Sequence, residues 1–124
     1  MQNTYEKLFD EFLDLTEFRL LKHKDGTFSL EDRQRANIGD IEDDRFTSAS
    51  EILDRMDIYI QDYLIRDIED ALDEKSIKIN CAWEEYGQYR DLIPDYKFDF
   101  DLLDMIINHF DEVDLNNCDY SFAD

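Results

Sequence analysis

The sequence predicts an α+β fold: one domain over residues 1–124, with helices packed on a small antiparallel sheet. Three observations point there. Several stretches carry apolar residues at helical spacing, the longest over about residues 50–75. One Asp-Gly pair, Asp25-Gly26, stands between two runs of alternating apolar residues. Only three Gly and one Pro interrupt 124 residues, so the elements are few and long. This length makes about one domain. Nine Phe, seven Tyr and one Trp among 43% hydrophobic residues supply a core, which argues against disorder despite the charge.

Thr4–Thr16 reads as the first helix, with Thr4 as cap and Lys7 where a capping box would want Glu. Tyr5, Leu8, Phe9, Phe12, Leu13 and Leu15 share its inner side, and Glu6, Asp10, Glu11, Asp14 and Glu17 the outer. Phe18–Lys24 and Thr27–Glu31 flank Asp25-Gly26, a strong hairpin signal, so a hairpin spans about residues 18–31. Phe18, Leu20, Phe28 and Leu30 alternate toward one face. Arg19, Lys22, Lys24, Arg33 and Arg35 make this region locally basic, and pairing with the chain's own acids is the expected use. An EF-hand loop centred on Gly26 fails, because its first ligand position would be Leu21.

Asp32–Thr47 reads as a connecting loop. Asn37-Ile38-Gly39-Asp40 has turn chemistry, and Ile38, Ile41 and Phe46 anchor it. Ser48 or Ser50 caps the long helix, with Glu51 in its first turn. Its buried line runs through Ile52, Met56, Tyr59, Ile60 and Tyr63. From Leu64 on, Leu64, Ile68, Ala71 and Leu72 define a line rotated by roughly a third of a turn. The helix must therefore kink near Tyr63–Arg66 or pack two surfaces on its two halves. Ile58 and Ile65 lie off the first line and are either buried by another element, the favoured reading, or partner contacts.

Alternating Ile77, Ile79 and Cys81 suggest a short third strand over about residues 76–81. Ala82–Ile93 reads as a helix with Ala82, Trp83, Tyr86, Tyr89 and Ile93 inward, weakened by Gly87 and ended by Pro94. Asp99 or Asp101 caps a last helix to about Glu112, with Phe100, Leu103, Ile106, Ile107 and Phe110 inside. Residues 114–124 lack helical regularity and are expected to fray.

Charge is the distinguishing property. Thirty-three acids against thirteen bases give a formal net charge of −20. Self-repulsion of this size weakens a compact state. The chain has 22 Asp and 11 Glu, although Asp is the poorer helix former. The shorter Asp arm holds a carboxylate closer to the backbone, as a fixed charge pattern requires. Such a surface repels nucleic acid and anionic membranes and attracts basic proteins or polyvalent cations.

No catalytic motif emerges, and the chain is read as a non-enzyme without cofactor or metal. Asp95, Asp99, Asp101 and Asp104 are the densest carboxylates for a hard cation, but clusters arise by chance among 22 Asp. His23 and His109 have no partner at zinc-ligand spacing, and no Gly-rich phosphate loop is present. Cys81 and Cys118 lack CxxC spacing and read as free thiols of a reducing cytoplasm. The first residues show no signal-peptide pattern and no stretch reaches membrane-spanning length, so a cytoplasmic location is expected.

Asp25-Gly26, Gln34-Arg35-Ala36-Asn37-Ile38-Gly39-Asp40-Ile41-Glu42, Arg45-Phe46 and Ile52–Tyr63 together resemble a segment common in small accessory proteins of bacterial conjugative elements and phages, over about a third of the chain. Proteins of that setting include antirestriction and anti-CRISPR inhibitors, many of them small, acidic and single-domain. The resemblance implies a mobile genetic element context and assigns no catalytic residue.

Carboxylates on successive helical turns stand about 5–6 Å apart, and phosphates of one DNA strand rise about 3.4 Å each. The expectation is an acidic DNA mimic that inhibits a basic nucleic-acid-handling enzyme, such as a CRISPR effector nuclease or a restriction enzyme. It would bind protein, not nucleic acid or membrane. The residues expected to bind the partner are Asp40, Glu42, Asp43, Asp44, Asp54, Asp62, Asp67, Glu69, Asp70, Asp73 and Glu74. The alternative is a non-inhibitory acidic module of a mobile element docking on a basic protein.

Overall fold

In a computed structural model, which describes residues 2–34 and 40–123, the protein is α+β. The first helix, α1 (Thr4–Leu15), is capped by Asn3 rather than Thr4. Asn3 Oδ1 accepts from the Glu6 N–H at 2.8 Å, and Glu6 Oε1 accepts from the Asn3 N–H at 2.8 Å, a reciprocal capping box. Phe9, Phe12 and Leu13 are buried, as their spacing requires, while Leu15 is exposed.

The hairpin follows as expected. β1 (Phe18–Lys22) pairs antiparallel with β2 (Phe28–Asp32), with Leu20 opposite Leu30 and Lys22 opposite Phe28. Phe18, Leu20, Phe28 and Leu30 are all buried. Asp25-Gly26 lies in a five-residue connection, with Gly26 at φ +89°, a conformation that favours glycine. Asp25 Oδ1 accepts from the Thr27 hydroxyl at 2.6 Å and its N–H at 2.9 Å. The basic region meets the chain's own acids. Arg19 lies 3.6 Å from Glu31, and Arg33 lies 3.6 Å from Asp14.

The third strand is not at residues 76–81. β3 (Ser121–Phe122) takes that place, parallel to β1, giving the order β2-β1-β3. Ser76 and Ile77 complete a helix end instead, and residues 77–80 form no regular element. The Ser76 N–H donates to Asp73 O at 2.9 Å and the Ile77 N–H to Leu72 O at 3.0 Å. This is the Schellman arrangement, with Ser76 at φ +60°. It turns the chain away from the sheet, and Ile77 and Ile79 pack half-buried against the core.

Part of the loop reading, Asn37–Gly39 with its anchor Ile38 and the base Arg35, lies outside the described residues. The other anchors, Ile41 and Phe46, are buried. Phe46 forms an isolated antiparallel bridge with Phe28.

Ser48 caps the long helix, accepting from the Glu51 N–H. The helix runs as α2 (Ala49–Arg55), α3 (Asp57–Ile60), a π-helical turn over Gln61–Ile65, and α4 (Arg66–Glu74). In the π turn the Arg66 N–H donates to Gln61 O, one residue further back than in an α-helix. The extra residue explains the phase shift in the sequence. Ile52, Met56, Ile60, Leu64, Ile68 and Leu72 recur every four residues and are all buried. In an unbroken α-helix of 3.6 residues per turn that line would spiral away from one core. The π turn resets it, and Ile65 is buried in the process. Two expectations fail here. Ile58 is 70% exposed rather than buried, and Tyr63 is 39% exposed, its ring stacked on Tyr59.

Trp83–Leu92 is a 3-10 run rather than an α-helix, with Tyr86 buried but Ala82 exposed. A short turn, Pro94–Tyr96, leads into α5 (Lys97–Asn108). Neither Asp99 nor Asp101 caps α5. Asp99 lies in its first turn and Asp101 is bonded to Arg90. α5 stops at Asn108, short of Glu112, and a separate 3-10 turn covers Phe110–Glu112. It buries Leu102 and Met105 besides Phe100, Leu103 and Ile106, and packs against α1.

The segment expected to fray is held down. Leu115 and Cys118 are buried, and a 3-10 turn forms at Leu115–Asn117. Its backbone is bound by acids of α1. The Asp114 N–H donates to Glu6 Oε2 at 2.8 Å, and the Asp119 N–H to Asp10 Oδ1 at 3.0 Å. Glu6, read as an outer residue of α1, is 1% exposed for this reason.

Candidate partner-binding surface

The long helix places most of the carboxylates expected to bind a partner. Its apolar line, with Leu53, Ile65 and Ala71 beside it, faces the core, and the carboxylates fall on the remaining side. Asp54, Asp62, Asp67, Glu69, Asp70, Asp73 and Glu74 are all exposed. The one-turn 3-10 segment Asp40–Asp43 precedes the helix, with Glu42 and Asp43 exposed and Asp44 half-buried. The Asp40 side chain lies outside the described ones.

Hydrogen bonding divides this set. Some members are engaged within the fold. Asp44 accepts from Arg55 Nε at 2.6 Å and Asp62 from Arg66 at 3.2 Å. Glu42 accepts from the Asp32 N–H at 3.3 Å. Glu69 accepts from the Tyr86 hydroxyl at 2.9 Å and from Gln61 at 3.4 Å. Asp43, Asp54, Asp67, Asp70, Asp73 and Glu74 form no ion pair or side-chain hydrogen bond with any described residue.

One further member was missed. Asp57, in the first turn of α3, is exposed and equally without such a bond. Its signal was available, since Asp54 and Asp57 stand three residues apart on one helix. On α4, Asp67, Asp70 and Asp73 follow one another at the same interval, with Glu74 four residues after Asp70. Each like-charged pair at this spacing costs a few tenths of a kcal/mol. The field reaches beyond the helix. The Asp99 carboxyl is raised above the ordinary carboxylate value, first by burial and then by the negative charge of Asp67. The Tyr86 phenol is pushed up to about 12, by burial and by its bond to Glu69.

Other candidate chemistry does not assemble. Among the described residues no three His, Cys, Asp or Glu side chains converge as metal ligands would. Within the Asp95–Asp104 group, Asp101 is committed to Arg90, and Asp104 lies 3.5 Å from His109. His109 lies 2.5 Å from Glu112 and stacks on Tyr5. Burial, with the charges of Asp10 and Glu6, pushes the Cys118 thiol far up. Partial burial and Glu85 raise that of Cys81. Neither resembles the low-pKa thiolate of a nucleophile. No helix among the described residues is long and apolar enough to cross a membrane.

Compared with protein-family models, with curated proteins and with solved structures, the chain matches none. What the surface can do therefore rests on its own geometry. It presents a row of fixed negative charges on a helix anchored in the core.

Proposed function

We propose that the protein is an acidic inhibitor that mimics DNA and occupies the cationic nucleic-acid channel of an enzyme such as a CRISPR effector nuclease or a restriction enzyme, in the cytoplasm of a host carrying a mobile element. One observation carries the reading. Asp54, Asp57, Asp67, Asp70, Asp73 and Glu74 are exposed along one helix and form no ion pair with any described residue. Several bases of the chain meanwhile serve other acids, among them Arg55 with Asp44, Arg66 with Asp62 and Arg90 with Asp101. Like charges at helical spacing oppose folding. Their arrangement is accounted for if a cationic partner neutralises them. Release of counterions from both surfaces then favours association and makes it salt-sensitive.

The test is a panel of purified restriction and CRISPR effector nucleases assayed for DNA cleavage at low salt. Cleavage by at least one should fall on adding the protein. The block should be relieved by rising salt and by excess duplex DNA. It should weaken in Asp67→Asn/Asp70→Asn/Asp73→Asn/Glu74→Gln. Absence of binding to every member at low salt sinks the reading. Binding to a nucleic-acid enzyme that leaves cleavage intact favours instead a docking module that does not inhibit.

A further inference from the structure

The Asp54–Asp57 end of this acidic row borders the 3-10 run Trp83–Leu92 and the end of α5. A groove of about 410 Å³ opens there. Its floor includes Trp83, Ile107 and Phe110, each half-buried and packed on the core from outside. Asp54, Asp57 and Glu84 stand along it, all exposed. Among the described residues, no Lys or Arg lines it. None of the three carboxylates forms an ion pair or side-chain hydrogen bond with a described residue. The groove thus joins an aromatic floor to uncompensated negative charge.

The occupant must satisfy both halves. An anion is repelled by three carboxylates. A purely apolar group would strip water from them without replacing it, which is costly. Arginine has the matching chemistry. Its methylene stem covers apolar surface. Its planar guanidinium stacks on aromatic faces and forks onto carboxylates. Tryptophan offers the most favourable ring for such a cation. We propose that this groove docks an arginine side chain of a basic partner protein. The inference rests on the reading that the partner is a cationic protein, and it adds a partly desolvated anchor of the kind that dominates interface energetics.

Trp83 is the chain's single tryptophan, so its emission reports on the groove directly. The full chain is titrated at low salt with acetyl-Arg-Leu-Arg-amide, and with its neutral isostere carrying citrulline for arginine. The arginine peptide should change the emission saturably and the citrulline peptide should not. Asp54→Asn/Asp57→Asn/Glu84→Gln should weaken the response roughly tenfold or more. The charge-matched control Glu11→Gln/Asp91→Asn/Asp95→Asn should change it by less than about twofold. If the first triple variant unfolds by circular dichroism, Glu84→Gln alone carries the comparison. Equal weakening by both triples, or no saturable response to the arginine peptide, overturns the groove and leaves the nuclease reading standing. A normal peptide response with no nuclease bound overturns the nuclease reading and leaves the groove standing.

Discussion

Glu6 shows how this protein uses an acid that forms an ion pair with no described base. Its carboxylate is 1% exposed and is held by N–H groups of Asn3 and Asp114 at 2.8 Å, with the Asn117 amide at 3.4 Å. Hydrogen bonds to a charged group contribute about 1.5–3 kcal/mol each, and donors left buried without a partner cost a further amount. Glu6→Ala should therefore destabilise by about 3 kcal/mol or more in urea unfolding, and should expose residues 112–119 to proteolysis. Glu6→Gln keeps one acceptor oxygen and should fall between. The sequence placed Glu6 on the outer side of α1, because helical phase alone treats Glu as a surface residue. The segment that covers it comes from 108 residues away, and spacing within a helix does not reveal such a partner. The exposed carboxylates of the long helix were legible, since the apolar line fixes which side faces water. Their division into bonded and unbonded acids was legible only at Asp62, four residues before Arg66, because at Glu69 and Asp44 it depends on the tertiary placement of Tyr86 and Arg55.

At the scale of elements, the sequence carried more of the fold in its regular parts than at their ends. The Asp-Gly connection located the hairpin, and the drift of the buried line marked the irregularity that is the π turn at Gln61–Ile65. Strand alternation misled at Ile77, Ile79 and Cys81, because the Schellman turn after α4 sends that segment away from the sheet. β3 has two residues, too short for any pattern to show. The turn itself is strained. Ser76 at φ +60° occupies the position where helices usually place glycine. Left-handed backbone costs an L-residue about 1–2 kcal/mol. Ser76→Gly should accordingly raise stability by about 0.5–1 kcal/mol, read as a higher urea midpoint with an unchanged slope. Ile77→Gly, which removes the apolar contact accompanying such a turn, should lower it.

For the whole molecule, a net charge of −20 makes pH and salt opposing levers on stability and binding. Asp10 and Asp99 have carboxyl values raised by burial. A raised acid binds its proton more readily folded than unfolded, so stability grows as pH falls through the raised value and levels off below the ordinary 3.8. Asp25 and Glu51 are lowered, each by hydrogen bonds from Thr27 or Thr47. Their contribution is present above the ordinary value and is lost as pH falls below it. Thermal stability should thus rise as pH falls from 7 through the raised carboxyl values and turn down once it falls below the ordinary 3.8 of Asp25 and 4.5 of Glu51. Asp99→Asn should flatten the rise. Added salt at pH 7 should raise the midpoint by screening self-repulsion, while the same salt weakens association with a cationic protein. A midpoint that falls with salt would contradict the view that the charge opposes folding.

The bond between Glu6 and the Asp114 backbone also sets a clock. At about 5–20 residues per second a ribosome needs roughly 5 to 20 seconds to add the 108 residues between them. During that interval α1 can form, because its capping box is local, but the Glu6 carboxylate stays in water and β1 lacks its parallel neighbour. Closure of the domain therefore follows emergence of residues 114–122 from the exit tunnel. Before then, the nascent chain carries its acids without the fold that later aligns them.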